Sequence, residues 1–298
     1  MLSLYTNAAS LSTQSAMSST QKDLSTSMQR LGTGYRINSA MDDAAGLQIA
    51  TRLNAQVSGM KVAMRNTQND ISMLQTGEGA LNEATNILTR MKDLATQAAD
   101  ASSSANDQTA MQAEYDALGR ELNNIMSNTS FGGQKLLMGT GTGSGTAAGS
   151  TFSAAVSFQI GSSASETMSF NASTQLNTMD TGLQSVSATY KTPAAATVGT
   201  ELTAAGGATT AIGNLSTALD NVGALRSAMG AAANRLDHVY NNLSNMSNNV
   251  SQAKGRIMDT DYASESANMT TKQMLMQAST AMLKQSNGMS SMAMSLLQ

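Results

Sequence analysis

The chain has 298 residues and a net charge of −3; 12% of the residues are charged, 3% are aromatic, and none is cysteine or tryptophan. The lack of cysteine excludes disulfides, thiolate nucleophiles and cysteine-based metal sites, and the scarcity of bulky residues predicts a thin core, unlike that of a compact enzyme. No block of lysine or arginine occurs, so a nucleic-acid partner is not expected.

The amino-terminal arm, residues 1–42, is amphipathic but almost uncharged. Its first 29 residues carry only Lys22 and Asp23 as charges, and their apolar residues follow a broken heptad spacing. Because a solvated helix normally has charges on its outer face, we expect this arm to be buried against copies of the same chain. We also expect it to be disordered in the isolated chain and to become helical on assembly.

The start of the chain has neither the basic region nor the continuous apolar region of a signal peptide. No run of about 18 apolar residues occurs in the sequence. We therefore expect no membrane insertion and, if the protein is exported, a route that does not use a classical signal peptide.

Two long segments repeat apolar residues every seven positions, and the single proline, Pro193, interrupts neither of them. This spacing is typical of helices that pack side by side in a bundle. A third, shorter segment from Met111 to Met126 has a matching stripe. We predict a mainly α protein, an elongated antiparallel helical bundle or coiled coil. Its predicted assembly seam consists of Leu53, Met60, Leu74, Leu81 and Leu88 in the first segment and of Val222, Met229, Leu236, Leu243, Val250 and Ile257 in the second.

The middle of the chain, from about Gly139 to Gly213, differs in composition from the segments on either side. Apolar residues alternate at Val156, Phe158 and Ile160 and again at Met168 and Phe170, with a turn-like GSSAS sequence nearby, which predicts a small β-hairpin. Residues 187–213 contain Pro193 and a pair of glycines, and we expect them to form an exposed, variable loop.

The carboxy-terminal arm, residues 258–298, resembles the amino-terminal arm in kind. From residue 262 onwards it carries only Glu265, Lys272 and Lys284 as charges. We predict that the two terminal helices pair on assembly. The core of the carboxy-terminal arm is expected to consist of Leu275, Ala278, Met282, Met289, Met292 and Leu296.

Three features could suggest chemistry, and each has a simpler interpretation. His238 is the single histidine and has no HExxH motif around it, so a solvated or interface side chain is expected. The run Gly143 to Ala148 fits a loose glycine-rich nucleotide motif but lies in a Gly/Thr/Ser tract. Asp42 and Asp43 are expected to cap the helix that follows them. We therefore predict no catalytic residue, no cofactor and no metal.

Several motifs resemble those of bacterial flagellins. They are RLGTGYRINSAMDDAAG at residues 30–46, TGEGALNEATNILTRMKDLATQ at 76–97, SFGGQKLL at 130–137 and RIMDTDYASESANM at 256–269. The resemblance covers roughly residues 1–138 and 212–298, and the opening is similar to that of lateral, swarming-type flagellins. It implies an inner-core arm and spoke at 1–42, a rod domain at 43–186 and 214–257, no large outer domain at 187–213, and an inner-core arm at 258–298.

The resemblance further implies a structural subunit that polymerises head-to-tail into a helical flagellar filament. Such a protein is extracellular, is exported by the flagellar type III system without a cleaved signal peptide, and has no enzymatic activity. Its implied partners are copies of itself, an export chaperone that binds the arm from Asp261 to Gln298, and hook-associated and cap proteins at the filament ends. A hook–filament junction protein, which has related end sequences, is the alternative.

One segment resembles the flagellin helix that the innate receptor Toll-like receptor 5 recognises. By this resemblance the recognition residues are Arg90, Leu94 and Glu114. Family members often carry other residues at Lys92, Asp93 and Thr96. The alternative is that the segment serves packing within the rod.

Overall fold

The computed structural model describes residues 7–138, 149–193 and 198–295, and it describes side chains as far as Gly288 at the carboxy-terminal end. The fold is mainly α, as predicted, with two small hairpins in the middle of the chain. The chain divides into two compact units. The first unit contains residues 1–57 and 247–298, and the second contains residues 58–246.

The long helices are α1 (Ala8–Thr33), α2 (Ala44–Ala98), α3 (Ala105–Asn128), α6 (Gly207–Met258) and α7 (Tyr262–Ser295). Asp43 precedes α2 and its Oδ1 accepts the backbone N–H of Gly46 at 2.8 Å, which is the predicted cap. The neighbouring Asp42 accepts the backbone N–H groups of Ser39 and Asn38, and these bonds hold its pKa below the usual value. The turn before α2 is therefore fixed by both carboxylates.

The predicted hairpin of the middle region is present in the second unit. Strand β3 (Val156–Gln159) pairs antiparallel with β4 (Thr167–Phe170), and Phe158 lies opposite Met168. Both of these side chains are buried. The ring of Phe170 stacks on Phe158 at 6.3 Å between centroids and meets Phe152 edge-on at 5.7 Å. Aromatic side chains are few in this chain, and three of them form this cluster.

A smaller hairpin follows α3. Strand β1 (Ser130–Phe131) pairs with β2 (Gln134–Lys135) across Gly132 and Gly133, whose φ angles are 57° and 83°. A two-residue turn with positive φ at both positions favours glycine, which has no Cβ to clash. This geometry explains the two glycines of the SFGGQKLL motif.

The expectation of an exposed loop at 187–213 is wrong. This segment contains helix α5 (Ala188–Lys191) and the start of α6, and it follows helix α4 (Ser173–Val186), which the hydrophobic pattern did not reveal. Several of its side chains are buried. They are Ser187, Thr189, Tyr190, Leu202, Ala208 and Ala211.

A buried polar cluster holds this segment against α3 in the second unit. Gln112 donates from Nε2 to Asp116 Oδ1 and to Glu201 Oε2, both at 2.8 Å. The backbone N–H of Gly199 donates to Asp116 Oδ2 at 2.9 Å, and that of Ala188 donates to Glu201 Oε1 at 2.6 Å. Buried polar atoms that are hydrogen-bonded in this way fix one conformation. Glycine and proline in this segment are typical of loops, but these hydrogen bonds order it.

The two heptad columns form the interior of the chain. In the second unit Met60, Leu74, Leu81, Leu88, Val222, Met229, Leu236 and Leu243 are buried. Helices α2 and α6 contact each other there, since a Cβ added to Gly77 would lie 3.4 Å from the methyl group of Met229. In the first unit Leu53, Val250 and Ile257 are half-buried. Side chains buried within one chain are unavailable to another subunit. The assembly role predicted for the eight buried residues of the second unit is therefore corrected to internal packing.

Asp70 is a carboxylate on α2 that the packing of the second unit leaves partly buried. Its Oδ2 is buried and has no hydrogen-bond partner in the part of the chain that the structure describes. Burial raises the pKa of Asp70 from 3.8 to about 6. Because the folded-state pKa lies above the unfolded value, this group favours folding below about pH 4, and the contribution is lost as the pH rises to about 6.

We therefore expect Asp70→Asn, which cannot ionise, to raise the melting temperature of the chain at about pH 7.5 but not at about pH 3.5. Thermal unfolding followed by circular dichroism at both pH values measures this difference. Asp93→Asn, at an exposed position of the same helix, is the matched control. An Asp70→Asn gain of equal size at both pH values would contradict the interpretation.

Candidate functional site

The terminal helices α1 and α7 pack antiparallel in the first unit, which confirms that they pair, whereas pairing on assembly stays a prediction. Near their free ends, Asn7 donates from Nδ2 to Ser286 at 3.1–3.2 Å and Ser10 donates to Asn287 at 3.1 Å. Further along, Lys272 Nζ lies 2.6 Å from Asp23. Arg30 Nη1 lies 3.8 Å from Glu265 Oε2.

Backbone hydrogen bonds close the base of this pair. Thr260 donates to the carbonyl of Gly34 at 3.0 Å, and Arg36 donates to the carbonyl of Met258 at 2.6 Å. Gly34 ends α1 with φ 76°, and a Cβ at this position would lie 2.8 Å from the hydroxyl of Tyr262. A residue other than glycine is disfavoured for both reasons. The two motifs at residues 30–46 and 256–269 thus meet at one junction.

The apolar residues of α1 divide between two faces, which explains their broken heptad spacing. Met17, Leu24 and Leu31, seven residues apart, lie on the less exposed face. Leu11 and Met28 lie outside it and are 68% and 51% exposed. The two faces could be distinguished in the sequence, because only Met17, Leu24 and Leu31 keep a strict interval of seven residues.

The part of the predicted stripe that the structure describes, Leu275, Ala278 and Met282, lies on a face of α7 that no described part of the chain covers. The positions of α7 that are less exposed, beside α1, are Glu265, Met269, Lys272, Met276, Ser279, Leu283 and Ser286. The stripe residues Leu275 and Met282 are 47% and 63% exposed, and Ala278 is exposed as well. Met289 and Met292 belong to α7, but their side chains and residue Leu296 lie outside the described residues.

This arrangement leaves an apolar surface, which we call the outer stripe, formed by Leu275, Ala278 and Met282. Met274, 58% exposed, adjoins it. Burying a leucine or methionine side chain stabilises a protein by about 1.5–3 kcal/mol relative to leaving it in water. An uncovered apolar row on a helix therefore favours association with a second apolar surface.

The predicted recognition residues are only partly brought together. Arg90 Nη2 lies 2.7 Å from Glu114 Oε1, and both side chains are about half exposed. Leu94 is 2% exposed and belongs to the core of the second unit. A partner that docks on the folded chain would therefore meet the Arg90–Glu114 pair but not the Leu94 side chain. Burial of Leu94 follows from its place on the inner face of α2, which favours the packing alternative for this residue.

The structure was searched for metal-binding clusters and for membrane-spanning helices among the residues that it describes. His238 is exposed on α6. Across residues 7–138, 149–193 and 198–295, no group of three or more histidines and carboxylates could hold a metal ion. In the same ranges, no helix combines the length and apolar character needed to cross a bilayer. The glycine-rich run Gly143–Ala148 lies outside the described residues.

Two family models match the chain. The model described as the bacterial flagellin N-terminal helical region matches residues 4–142, and the one described as the bacterial flagellin C-terminal helical region matches residues 212–297. Together they take in about three quarters of the chain. The first includes α1, α2 and α3, and the second includes most of α6 and α7.

Curated relatives are similar in sequence to this chain over part of their own length. A B-type flagellin of Pseudomonas aeruginosa is 48% identical over 168 residues, which are 56% of this chain and 32% of the relative. Flagellin C of Vibrio cholerae is 44% identical over 57% of this chain and 42% of the relative. Polar flagellin F of Vibrio parahaemolyticus is 49% identical over 46% of this chain and 37% of the relative. The chain thus spans well under half the length of these relatives, and since they include a polar flagellin, the lateral-type resemblance stays a prediction.

Two solved structures are also similar to the chain. A crystal structure of Bacillus cereus flagellin is 31% identical, with a TM-score of 0.46, and the match covers 60% of this chain and 88% of that one. A flagellar hook-associated protein from Vibrio parahaemolyticus is 18% identical, with a TM-score of 0.56 and coverage of 73% and 100%. At this identity the second likeness concerns the fold alone.

Proposed function

The chain belongs to the bacterial flagellin family, and on this premise we propose that it is a structural subunit that polymerises head-to-tail into a helical, extracellular flagellar filament. The observation that carries the proposal is the outer stripe of α7. Its apolar side chains are exposed although α7 is already paired with α1. We infer that other copies of the chain bury this remaining apolar surface in the polymer.

The geometry of such burial favours an open fibre. The outer stripe and the exposed residues Leu11 and Met28 lie on different helices, so the two surfaces that meet need not be identical. Contacts between two different patches of identical subunits do not have to close into a dimer, and when the rotation does not close they generate a helical filament. The few charges on both arms keep the cost of desolvating these surfaces low.

The alternative is a hook–filament junction protein. The likeness to a hook-associated protein supports a shared fold and does not favour that function. Electron microscopy of the purified chain separates the two functions, because a filament subunit forms long filaments by itself and a junction protein does not. For a filament subunit, hook-associated and cap proteins are the proposed partners at the filament ends.

The carboxy-terminal arm is also the segment that we assign to an export chaperone. Exposed in the cytoplasm, the outer stripe would promote early polymerisation or aggregation, and a chaperone that covers it would prevent this. This role suits export through the flagellar type III system without a cleaved signal peptide. Because one face can serve two partners in turn, chaperone binding and filament packing are compatible.

Truncation before Asp261 removes α7 and is expected to abolish binding of the chaperone. Pull-down with the purified chaperone of the same bacterium measures this. The full chain with Val198→Ser, an exposed position in the second unit, serves as the control and is expected to bind as the unaltered chain does. Retention of the chaperone by the truncated chain would place its binding site elsewhere.

Recognition by Toll-like receptor 5 is a second proposed interaction, carried by the exposed Arg90–Glu114 pair. We expect the monomer to activate a receptor-reporter cell line, and Arg90→Ala to raise the concentration for half-maximal response at least about thirtyfold, which corresponds to the roughly 2 kcal/mol that defines an arginine hot spot. Arg120→Ala, at an exposed position of α3, is the matched control. No response to the monomer, or equal responses to the Arg90→Ala and Arg120→Ala variants, would count against this site.

A further inference from the structure

The apolar residues between α1 and α7 repeat with the same interval on both helices. Met17, Leu24 and Leu31 of α1 are seven residues apart, as are Met269, Met276 and Leu283 of α7. Sliding one helix along the other by seven residues, about 10 Å, would bring most of the same apolar positions together again. Apolar packing therefore does not distinguish between these alignments.

The charged residues of the interface do distinguish them. Asp23 and Arg30 are seven residues apart on α1, and Glu265 and Lys272 are seven apart on α7. In the structure each acid meets a base, with Lys272 at 2.6 Å from Asp23 and Arg30 at 3.8 Å from Glu265. A shift of seven residues in one direction places Asp23 opposite Glu265. A shift in the other direction places Arg30 opposite Lys272.

The surroundings of these residues make contacts between like charges unfavourable. Glu265 is 8% exposed, so an acid opposite it would be partly removed from water. The other charged residues of the two helices are Lys22 and Lys284. Neither carries a negative charge, so neither would neutralise a displaced Lys272 or Arg30.

We propose that Asp23–Lys272 and Arg30–Glu265 form a charge code by which α1 accepts α7 in a single register, whether α7 comes from the same chain or from a second copy. Within one chain the backbone bonds of Gly34 and Arg36 also oppose a shift, but backbone groups are alike in every residue and identify no partner. The side-chain charges, by contrast, are specific to these two helices. This inference rests on the proposed function and deepens it, because the register of α1 and α7 decides how each subunit presents the outer stripe to the polymer.

The test uses the full chain, which has no cysteine of its own. Ser10→Cys with Asn287→Cys reports the observed register, because these side chains are 3.1 Å apart. Ser10→Cys with Thr280→Cys reports a shift of seven residues. Oxidation of the soluble chain at low ionic strength then gives the yield of each crosslink.

Two one-sided variants and their combination test the code. One reverses the charges of α1 by Asp23→Lys with Arg30→Glu, and the other reverses those of α7 by Glu265→Arg with Lys272→Asp. Each is expected to lower the yield of the observed-register crosslink at least about fivefold, which is the upper range for an exposed ion pair such as Asp23–Lys272, and to raise the yield of the shifted crosslink. The chain with all four substitutions is expected to recover the original yields.

Pairing with a second copy is tested by mixing the two one-sided variants, with Ser10→Cys carried by the α1-reversed chain and Asn287→Cys by the α7-reversed chain. Their charges are complementary only between chains, so we expect an intermolecular crosslink. Its yield is expected to be about fivefold higher than the yield from the same cysteines in chains with the original charges. The loss of observed-register crosslink in the one-sided variants is expected to be smaller at about 1 M salt, where charges are screened beyond about 3 Å.

Unchanged crosslinks in the one-sided variants would overturn the charge code, and so would failure of the four-substitution chain to recover. Absence of the intermolecular crosslink in the mixture would overturn its extension to a second copy. Filament formation is scored separately by electron microscopy. Loss of filaments with the observed-register crosslink intact would count against the polymer function and not against the charge code.

Discussion

Replacing Leu275 and Met282 together with serine is expected to abolish filament formation at concentrations where the unaltered chain polymerises. Each of these side chains is about half exposed in the single chain and would be covered in the polymer. Because about half of each side chain is already out of water, losing the two remaining burials costs roughly 1.5–3 kcal/mol per subunit. Since every 1.4 kcal/mol is a factor of ten, the critical concentration should rise at least about tenfold.

Sedimentation of polymer over a range of concentrations measures the critical concentration directly. Val198→Ser is the matched control, because Val198 is 69% exposed but lies in the second unit and not in either arm. The isolated double variant should melt at the same temperature as the unaltered chain. Normal polymerisation by the Leu275→Ser/Met282→Ser chain would show that the outer stripe is not a subunit contact.

Leu88→Ala is expected to destabilise the isolated chain by about 2–5 kcal/mol, the range for truncating a fully buried leucine. Leu88 is 0% exposed and belongs to the core of the second unit. Leu275→Ala removes the same atoms from an exposed position and should leave the stability of the isolated chain nearly unchanged. Urea unfolding of both variants, monitored by circular dichroism, makes the comparison.

This pair of variants distinguishes internal packing from subunit contact. If the heptad column through Leu88 were a seam between subunits, Leu88→Ala would leave the stability of the isolated chain unchanged and would weaken the polymer. The structure predicts the reverse order, with Leu88→Ala affecting folding and Leu275→Ala affecting assembly. Equal stability of the two isolated variants would refute the assignment of the column to the core.

Most of the helical fold could be predicted from the sequence, because its signals are long and periodic. The columns through Leu88 and Leu236 repeat every seven residues, and an interval of that kind indicates helices that pack together whatever the side chains between them. The alternation at Val156 and Phe158 likewise identified the β3–β4 hairpin. The periodicity did not reveal whether a column faces its own chain or a neighbouring subunit.

The segment around Glu201 could not be predicted, because its order depends on single hydrogen bonds between residues far apart in sequence. Gln112 and Glu201 are separated by 89 positions, and no local pattern of either residue indicates that they meet. Glycine and proline near Pro193 correctly mark a break in helix, but they carry no information on whether the intervening chain is packed. The burial of Ser187 and Thr189 is a tertiary effect of the same kind.

The candidate site was predicted in part. The sequence identified the stripe of Leu275, Ala278 and Met282, since a nearly uncharged amphipathic helix requires a cover. It did not separate this stripe from the face that meets α1, because both faces of α7 contain methionine at helical spacing. The register of the pair depends on Asp23 and Lys272, two residues whose proximity only the structure shows.

The central claim is that the outer stripe is buried by other copies of the chain in a helical polymer. A cryo-electron microscopy reconstruction of filaments grown from the purified chain tests it most directly. The expected result is that Leu275, Ala278 and Met282 of each subunit contact neighbouring subunits and lose most of their exposure, while α1 and α7 stay paired. Filaments in which these side chains remain exposed to solvent, or a purified chain that forms none, would contradict the claim.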